Sequence, residues 1–416
     1  MKTFDVIVVG AGPAGLLAAG SAAEHGAKVL VLEKMKQAGR KLLITGKGRC
    51  NITNNSDPAE FIRHVYPNGR FLRSAFGHFF SQDILKLLQD KGVETTLERG
   101  GRFFPMSNKS ADVLAALLSW LAERKVEIRC GQKVEKLLTE AGSIKGVKAN
   151  GKEIWATKVI LAMGGKSYPA TGSNGEGYEL ARSVGHSVVP VRPSLVPLET
   201  EGKVASRLQG LTLKNVRATV WVNNKKSDED FGEMIFTHFG LSGPIILTLS
   251  RTIVDELHLK STIELSIDLK PALDEQKLDA RLLRDLNDAG KKQISNLFRA
   301  WLPTSMIPVF IEALGIDPEK EGHQLSGKER KKIRKLMKDF RFRISGHRSF
   351  KEAIITAGGV STQEISSKTM ESKKVSGLFF AGEMIDLDAE TGGYNLQIAY
   401  STGWLAGKSS LGDLGK

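Results

Sequence analysis

Short apolar runs punctuated by glycine set the pattern of this chain. Phe4-Asp5-Val6-Ile7-Val8-Val9 is β-branched and nearly continuous in its apolar residues, the mark of a strand buried on both faces. Gly10-Ala11-Gly12-Pro13-Ala14-Gly15 follows, then an alanine- and leucine-rich stretch from Leu16 to His25 that suits a helix. Gly26 ends it, and Lys28 to Glu33 reads as a second buried strand. Lys158 to Gly165 and Gly377 to Glu383 repeat the apolar-run-to-glycine pattern, and Asp388 to Gly403 reads as a glycine turn entering a helix. Between these, Val216–Val222, Gly232–Thr237 and Thr262–Asp268 alternate apolar and polar residues, predicting an antiparallel barrel or sandwich. From Asp274 to Asp339 the period becomes helical, with breaks at Pro303, Gly315 and Gly322.

The opening strand, glycine turn, helix and strand form one βαβ unit, and dinucleotide chemistry accounts for its glycines. Gly10 makes the tight turn, Gly12 lets a pyrophosphate approach the backbone, and Gly15 lets helix and strand pack closely. The helix start, with Pro13 and Ala14, offers free N–H groups to phosphate. Glu33 ends the second strand, where a carboxylate accepts hydrogen bonds from a ribose. An acid there favours a ribose without a 2′-phosphate. A glycine-rich turn alone is weak evidence; the acid in register is what separates this unit from a flavodoxin-like βαβ. The motif by itself does not separate FAD from NAD.

Composition narrows the class. The chain has 416 residues, 41% hydrophobic and 25% charged, enough for two or three globular domains. Sixty basic against 46 acidic residues give a net charge of +14, which suits anionic partners without choosing among them. Two cysteines, Cys50 and Cys130, make neither a disulfide framework nor a thiolate metal site, and no metal is expected. No apolar run approaches the ~20 residues that span a bilayer. Met1 to Ala23 has the outline of a secretory signal, but Asp5 and the spaced glycines argue against one, so a cytoplasmic protein with no membrane partner is expected.

After Glu33 and Lys34 comes a cationic loop, Gly39-Arg40-Lys41 to Gly46-Lys47-Gly48-Arg49-Cys50-Asn51, whose free N–H groups suit a flat anionic ligand. This loop, Gly101-Arg102-Phe103-Phe104-Pro105, Gly164–Gly177 and Gly382–Gly403 together resemble the BaiN-like or YhiN-like bacterial flavoproteins. These are aminoacetone-oxidase-like NAD(P)/FAD-dependent oxidoreductases of the glutathione-reductase-like superfamily. Arg49-Cys50-Asn51 and Gly392-Gly393-Tyr394-Asn395-Leu396-Gln397 are the most distinctive parts of the match, which runs over essentially the whole chain. The resemblance implies tightly bound, non-covalent FAD. It implies that Gly10, Gly12, Pro13, Ala14 and Gly15 hold the pyrophosphate and that Glu33 and Lys34 lie near the adenosine ribose. Gly382 and Glu383 would lie near the ribityl chain. Gly46, Gly48, Arg49, Cys50, Asn51, Gly393, Tyr394, Asn395 and Leu396 would surround the ring, with Arg40, Lys41, Val134, Ala162, Met163 and Gly164 completing the cofactor set. Where the pattern carries Asp after the C-terminal glycine, this chain has the longer Glu383.

No second strand–glycine–helix–acid unit and no CxxC occur, so any NAD(P)H donor must dock transiently, the alternative being electrons from an organic substrate that leave to oxygen or a carrier protein, and disulfide relay is not expected. Cys130 reads as a small core residue. Cys50, beside Arg49, reads as a packed residue near the flavin, with a stabilised thiolate the alternative. The expected architecture is α/β: a Rossmann-like FAD-binding domain in two segments, 1–190 and 361–416, interrupted by an insert at 191–360. Within the insert, 191–272 and 340–360 are mainly β and 273–339 helical. A small organic substrate is expected where insert and FAD domain meet, with hydride or electron transfer through the flavin. Arg102, Tyr168, His238 and Tyr394 are the candidate catalytic side chains, none of them assigned as an essential acid or base. Lys328 to Arg343 holds nine cations against two acids, with Ile333, Leu336 and Phe340 at helical spacing. That segment is read as a solvated face, with an RNA-binding or RNA-modifying flavoprotein as the alternative function. Oligomeric state is not legible.

Overall fold

The computed structural model describes residues 4–412. The chain divides into two compact units, Met1–Ser194 with Phe350–Lys416, and Leu195–Ser349.

The first unit is built on a seven-stranded sheet. Glu127–Cys130, Val29–Glu33, Phe4–Val9 and the distal half of Lys152–Leu161 run parallel in that order, and Leu378–Phe380 adds a further parallel strand. The register pairs Val6 with Val29 and Val159 with Leu378. Continuous apolar composition follows from burial of both faces: Val6, Ile7, Val8, Leu30, Val31, Val159 and Ile160 are all buried. The proximal half of Lys152–Leu161 turns out to pair antiparallel with Ser143–Ala149, which pairs in turn with Val134–Glu140. Helix Pro13–Glu24 packs on this sheet, and helix Tyr394–Ser409 packs on that helix at backbone contact distance. A Cβ on Gly403 would stand 2.2 Å from the Ala14 carbonyl oxygen, and one on Gly407 2.2 Å from that of Ala18. The two ends of the chain therefore make one core.

The second unit is a closed antiparallel barrel. Its strand order is Leu198–Thr200, Gly240–Ser242, Lys225–Phe236, Thr212–Val222, Ile263–Asp268 and Phe340–His347. Helices Glu275–Asp288, Ile307–Leu314 and Gly327–Lys338 fill the expected helical segment.

Several local expectations change. Pro244–His258 is a helix inside the stretch read as mainly β. Gly243-Pro244 opens it, proline being suited to a first helical position, and Ile245, Ile246, Leu249, Ile253 and Val254 form its buried face. The basic helix ends at Lys338, and Phe340 opens a barrel strand instead of extending the helical face. The second unit begins and ends inside the expected 191–360, because Val188–Ser194 and Ile355–Val360 pair with each other within the first unit. Gly358 and Gly359 serve that packing: a Cβ at either would strike the carbonyl oxygen of Pro190 or of Met384. Cys130 is exposed, since its strand lies at the sheet edge and Cys130 ends it.

Candidate functional site

Each glycine of the opening turn has a separate physical reason. Gly10 sits at φ 102°, and a Cβ there would lie 2.4 Å from the Ala162 carbonyl oxygen. A Cβ on Gly15 would lie 1.9 Å from the Gly10 carbonyl oxygen, so helix and strand touch through hydrogen. A Cβ on Gly12 would meet nothing within 4 Å. Gly12 is thus the one glycine of the three facing open space, at the start of a helix whose first N–H groups have no intrahelical acceptor. Ala162 closes the back of the turn, donating its N–H to the Val9 carbonyl at 2.9 Å. Glu33 braces the turn, accepting from Ala11 N–H at 2.9 Å and from Met35 N–H at 2.8 Å.

The C-terminal segment completes the same edge. Gly382, at φ 72°, lies against the Ala14 methyl and donates its N–H to Thr402 Oγ1 at 2.9 Å. Glu383 is held at both oxygens, by Lys41 Nζ at 2.7 Å and Thr356 N–H at 2.9 Å. Its longer reach thus ties the cationic loop to the returning strand. Gly393, at φ 99°, sits so close to the Thr53 backbone that a Cβ would be 2.5 Å away. Helix Tyr394–Ser409 then starts with N–H groups on Tyr394, Asn395 and Leu396 that have no intrahelical acceptor, and its cap residue Gly393 offers no side-chain one. A buried polar chain fixes that helix: Thr53 Oγ1 donates to Gln397 Oε1 at 2.7 Å, Gln397 Nε2 to Ser401 Oγ at 2.9 Å, and Ser401 Oγ to the Phe79 carbonyl at 2.7 Å.

Several expected ring contacts have other employment. The Arg49 guanidinium stacks 4.1 Å from the Phe104 ring centre, pairs with Glu98 and donates to Asn108 Oδ1 at 2.6 Å. Cys50 is fully buried, and burial pushes its thiol up to about 12 despite a hydrogen bond with Thr45, which removes the thiolate alternative. The Asn395 side chain closes its own loop, donating to the Ala389 carbonyl at 2.7 Å and accepting from Ala389 N–H at 2.9 Å. Lys34 pairs with Glu176 at 2.8 Å, and Lys133 does the same. Burial works against the Glu176 charge, yet hydrogen bonds from Lys133, Lys34 and Asn174 hold it down at about 2. Arg40, Gly46 and Gly48 lie on the loop, with Gly46 at φ 57° and Gly48 at φ 86°. Met163 N–H meets Met384 Sδ at 3.3 Å, a Cβ on Gly164 would press on Ser173, and Val134 is buried at a strand start. Tyr168, at φ 51°, donates its N–H to the Phe350 carbonyl. Arg102 donates to the Arg99 carbonyl at 2.9 Å. His238 belongs to the second unit, exposed on the turn before Gly240 and edge-on to Phe239.

Sequence reading missed one cluster. The Tyr394 ring stacks on His64 at 4.7 Å and meets Phe61 edge-on at 4.6 Å. His64 Nδ1 lies 2.8 Å from Glu390 Oε2, its Nε2 3.3 Å from Glu60, and Tyr66 donates to Glu390 Oε1 at 3.1 Å. The hydrogen bond to Glu390 raises the His64 pKa, against the opposing effect of burial. Strand pairing of Asp388–Ala389 with Val65–Tyr66 brings these groups together, next to Gly392 and Gly393. Charge, two phenols and an imidazole thus converge beside the glycine turn.

These residues fit FAD. The turn at Gly12 has the space a pyrophosphate needs, and the Tyr394 helix offers N–H groups to a ring carbonyl. The Asn51 Oδ1 is buried without a partner among the described residues, an acceptor suited to a ligand N–H. Gly10, Glu33, Ala162 and Gly382 lie at the carboxyl ends of four parallel strands, where ligands bind in open α/β sheets. A cleft of about 390 Å³ lined by Phe4, Trp155 and Lys158 lies at the opposite edge, away from the glycine turns.

Fold and site define an FAD-dependent oxidoreductase with a Rossmann-like cofactor domain and a barrel insert. The chain belongs to the HI0933-like protein Rossmann domain family, whose model matches residues 4–409. It is 32% identical over 405 residues to the 3-dehydro-bile acid delta(4,6)-reductase of Clostridium scindens, covering 97% of this chain and 98% of that one. It is 30% identical over 417 residues to the ribosomal RNA dihydrouridine synthase of Escherichia coli K12, covering 99% and 100%. The structure of 3-ketosteroid-delta4-(5alpha)-dehydrogenase from Rhodococcus jostii RHA1 aligns with a TM-score of 0.48 and 16% identity, over 98% of this chain and 97% of that one. Among the described residues no helix is long and apolar enough to cross a membrane, and no cluster of residues suits a metal ion.

Proposed function

We propose that this enzyme adds hydrogen across a carbon–carbon double bond polarised by a neighbouring carbonyl, drawing electrons from a transiently bound NAD(P)H. One observation carries the reading: full-length relatives are named as a 3-dehydro-bile acid delta(4,6)-reductase and as ribosomal RNA dihydrouridine synthases. FAD, when bound, supplies the two-electron carriage between donor and substrate.

The chain supplies the rest. Gly10 to Gly15 hold the pyrophosphate, Glu33 the ribose, and the Tyr394 helix start favours negative charge at the ring. Glu383, pinned by Lys41 and Thr356, sets the spacing between the cationic loop and the C-terminal turn. Addition of a hydride equivalent leaves one proton to be delivered. The Tyr394–His64–Glu390–Tyr66 cluster stores it, with His64 Nδ1–H shared with Glu390 Oε2. Arg102 and Tyr168 remain candidates for substrate contact.

A narrower reading takes uracil in RNA as the acceptor, after the name of the Escherichia coli relative. Anaerobic protein carrying FAD should bleach with NADH or NADPH and regain its colour on adding 4-androstene-3,17-dione or a uridine-containing RNA. Mass spectrometry should then find the acceptor heavier by two hydrogens. Recolouring by oxygen alone, with neither acceptor saturated, would overturn the assignment in favour of an oxidase.

A further inference from the structure

We propose that one face of helix Gly327–Lys338 is a docking surface for the phosphate backbone of RNA. The helix is firmly built. Ser326 caps it, its Oγ accepting from Glu329 N–H while Glu329 Oε2 accepts from Ser326 N–H at 2.8 Å. Ile333 and Met337 are buried in the core of the second unit. Three of its cations are spent on anchoring. Arg330 reaches Asp279 at 3.1 Å, and Arg334 reaches Asp279 at 3.2 Å and Glu275 at 3.4 Å. Lys338 reaches Asp268 at 2.6 Å and the Leu273 carbonyl at 2.6 Å. The single acid of the helix, Glu329, is taken by Lys320 at 2.8 Å.

Four lysines are left over. Lys328, Lys331, Lys332 and Lys335 are exposed and make no ion pair with any described residue. Their spacing of i, i+3, i+4 and i+7 puts them on one face, where like charges repel. Asp339, just past the helix end, offsets part of that repulsion at Lys335. Seven residues of helix rise about 10 Å, roughly three phosphates of one nucleic-acid strand. A bilayer suits the face poorly, since it carries no apolar residue to insert and the apolar side of the helix is already buried. The choice of RNA over DNA rests on the uracil reading above.

Anisotropy of a fluorescein-labelled, uridine-rich single-stranded RNA, titrated with the full-length FAD-loaded enzyme, tests the surface. Three phosphate contacts predict an affinity about 20-fold lower at 200 mM than at 50 mM salt, from a slope near −0.7 per contact. The combined change Lys328→Gln, Lys331→Gln, Lys332→Gln and Lys335→Gln should flatten that dependence and weaken low-salt binding at least tenfold. Thermal melting and bleaching by the nicotinamide should stay unchanged. Arginine at the same four positions should keep the binding. Equal binding by wild type and the glutamine variant overturns the proposal. So does equal binding of the matching DNA, or binding of phosphatidylglycerol vesicles without RNA. Intact, lysine-dependent RNA binding with no dihydrouridine formed would sink the uracil reading while leaving the surface standing.

Discussion

Replacing Gly12 with alanine separates cofactor contact from fold. Gly12 has φ −82° and ψ −178°, which alanine adopts freely, and its added Cβ meets no protein atom within 4 Å. Less chain freedom in the unfolded state gains about 0.4–1 kcal/mol, and a poorer helix cap loses a similar amount. The protein without FAD should therefore melt within about 1 kcal/mol of wild type. The methyl, however, fills the space a phosphate needs to reach the turn. Losing one hydrogen bond to a charged acceptor costs about 1.5–3 kcal/mol, or about 10- to 150-fold in Kd. Titrating FAD into the apoprotein and following flavin fluorescence measures this directly. Gly15→Ala is the counterpart: its Cβ would overlap the Gly10 carbonyl oxygen at 1.9 Å, so the fold itself should weaken. A Gly12→Ala protein that binds FAD like wild type would refute the placement of the pyrophosphate. A Gly15→Ala protein of wild-type stability would refute the packing argument.

Other outcomes follow from the same geometry. His64 has a raised pKa, so its contribution is complete below the ordinary value of about 6.5 and fades as pH rises through the folded value. The melting-temperature gap between wild type and His64→Gln should be widest in mild acid and close on the alkaline side; a pH-independent gap would contradict the Glu390 pairing. In the native protein a thiol reagent at mildly alkaline pH should modify Cys130 and spare Cys50, whose buried thiol titrates at about 12. Peptide mapping reads this, and rapid labelling of Cys50 would count against its burial. Gly403→Ala should cost at least about 1–3 kcal/mol in urea unfolding, since its Cβ would overlap the Ala14 carbonyl.

The parts of the fold legible in the sequence were those written locally. The Gly10–Gly15 turn, its flanking strands and Glu33 lie within thirty residues, and each residue's physical role reads directly from its neighbours. Three of the six barrel strands, Thr212–Val222, Lys225–Phe236 and Ile263–Asp268, were legible from alternation. The Pro244–His258 helix had its own signals, Gly243-Pro244 and the spacing of Ile245, Leu249 and Ile253, but sat amid β-like alternation. Contacts between distant residues left no trace. His64 meets Glu390 across 326 positions, and Thr53 meets Gln397 across 344. Arg49 looked like a flavin ligand because it sits beside Cys50 and Asn51, yet its direction is set by Glu98 and Phe104 on a different strand pair. Cys130 was placed on the correct strand, but that the strand lies at the sheet edge depends on topology, which a short window does not encode.

The seam between helices Pro13–Glu24 and Tyr394–Ser409 also orders events in time. The first helix leaves the ribosome early, while the glycines that must nestle against its carbonyls are made about 390 residues later. At ordinary synthesis rates the interval from Leu161 to Ser409 is roughly 12–50 seconds. Throughout it, the nascent sheet carries an uncovered apolar helix while the barrel unit is being made and has time to fold. Chaperone occupancy of the nascent chain should therefore persist until the final helix emerges, and a premature stop before it should yield a chain whose barrel is sound and whose cofactor unit is not.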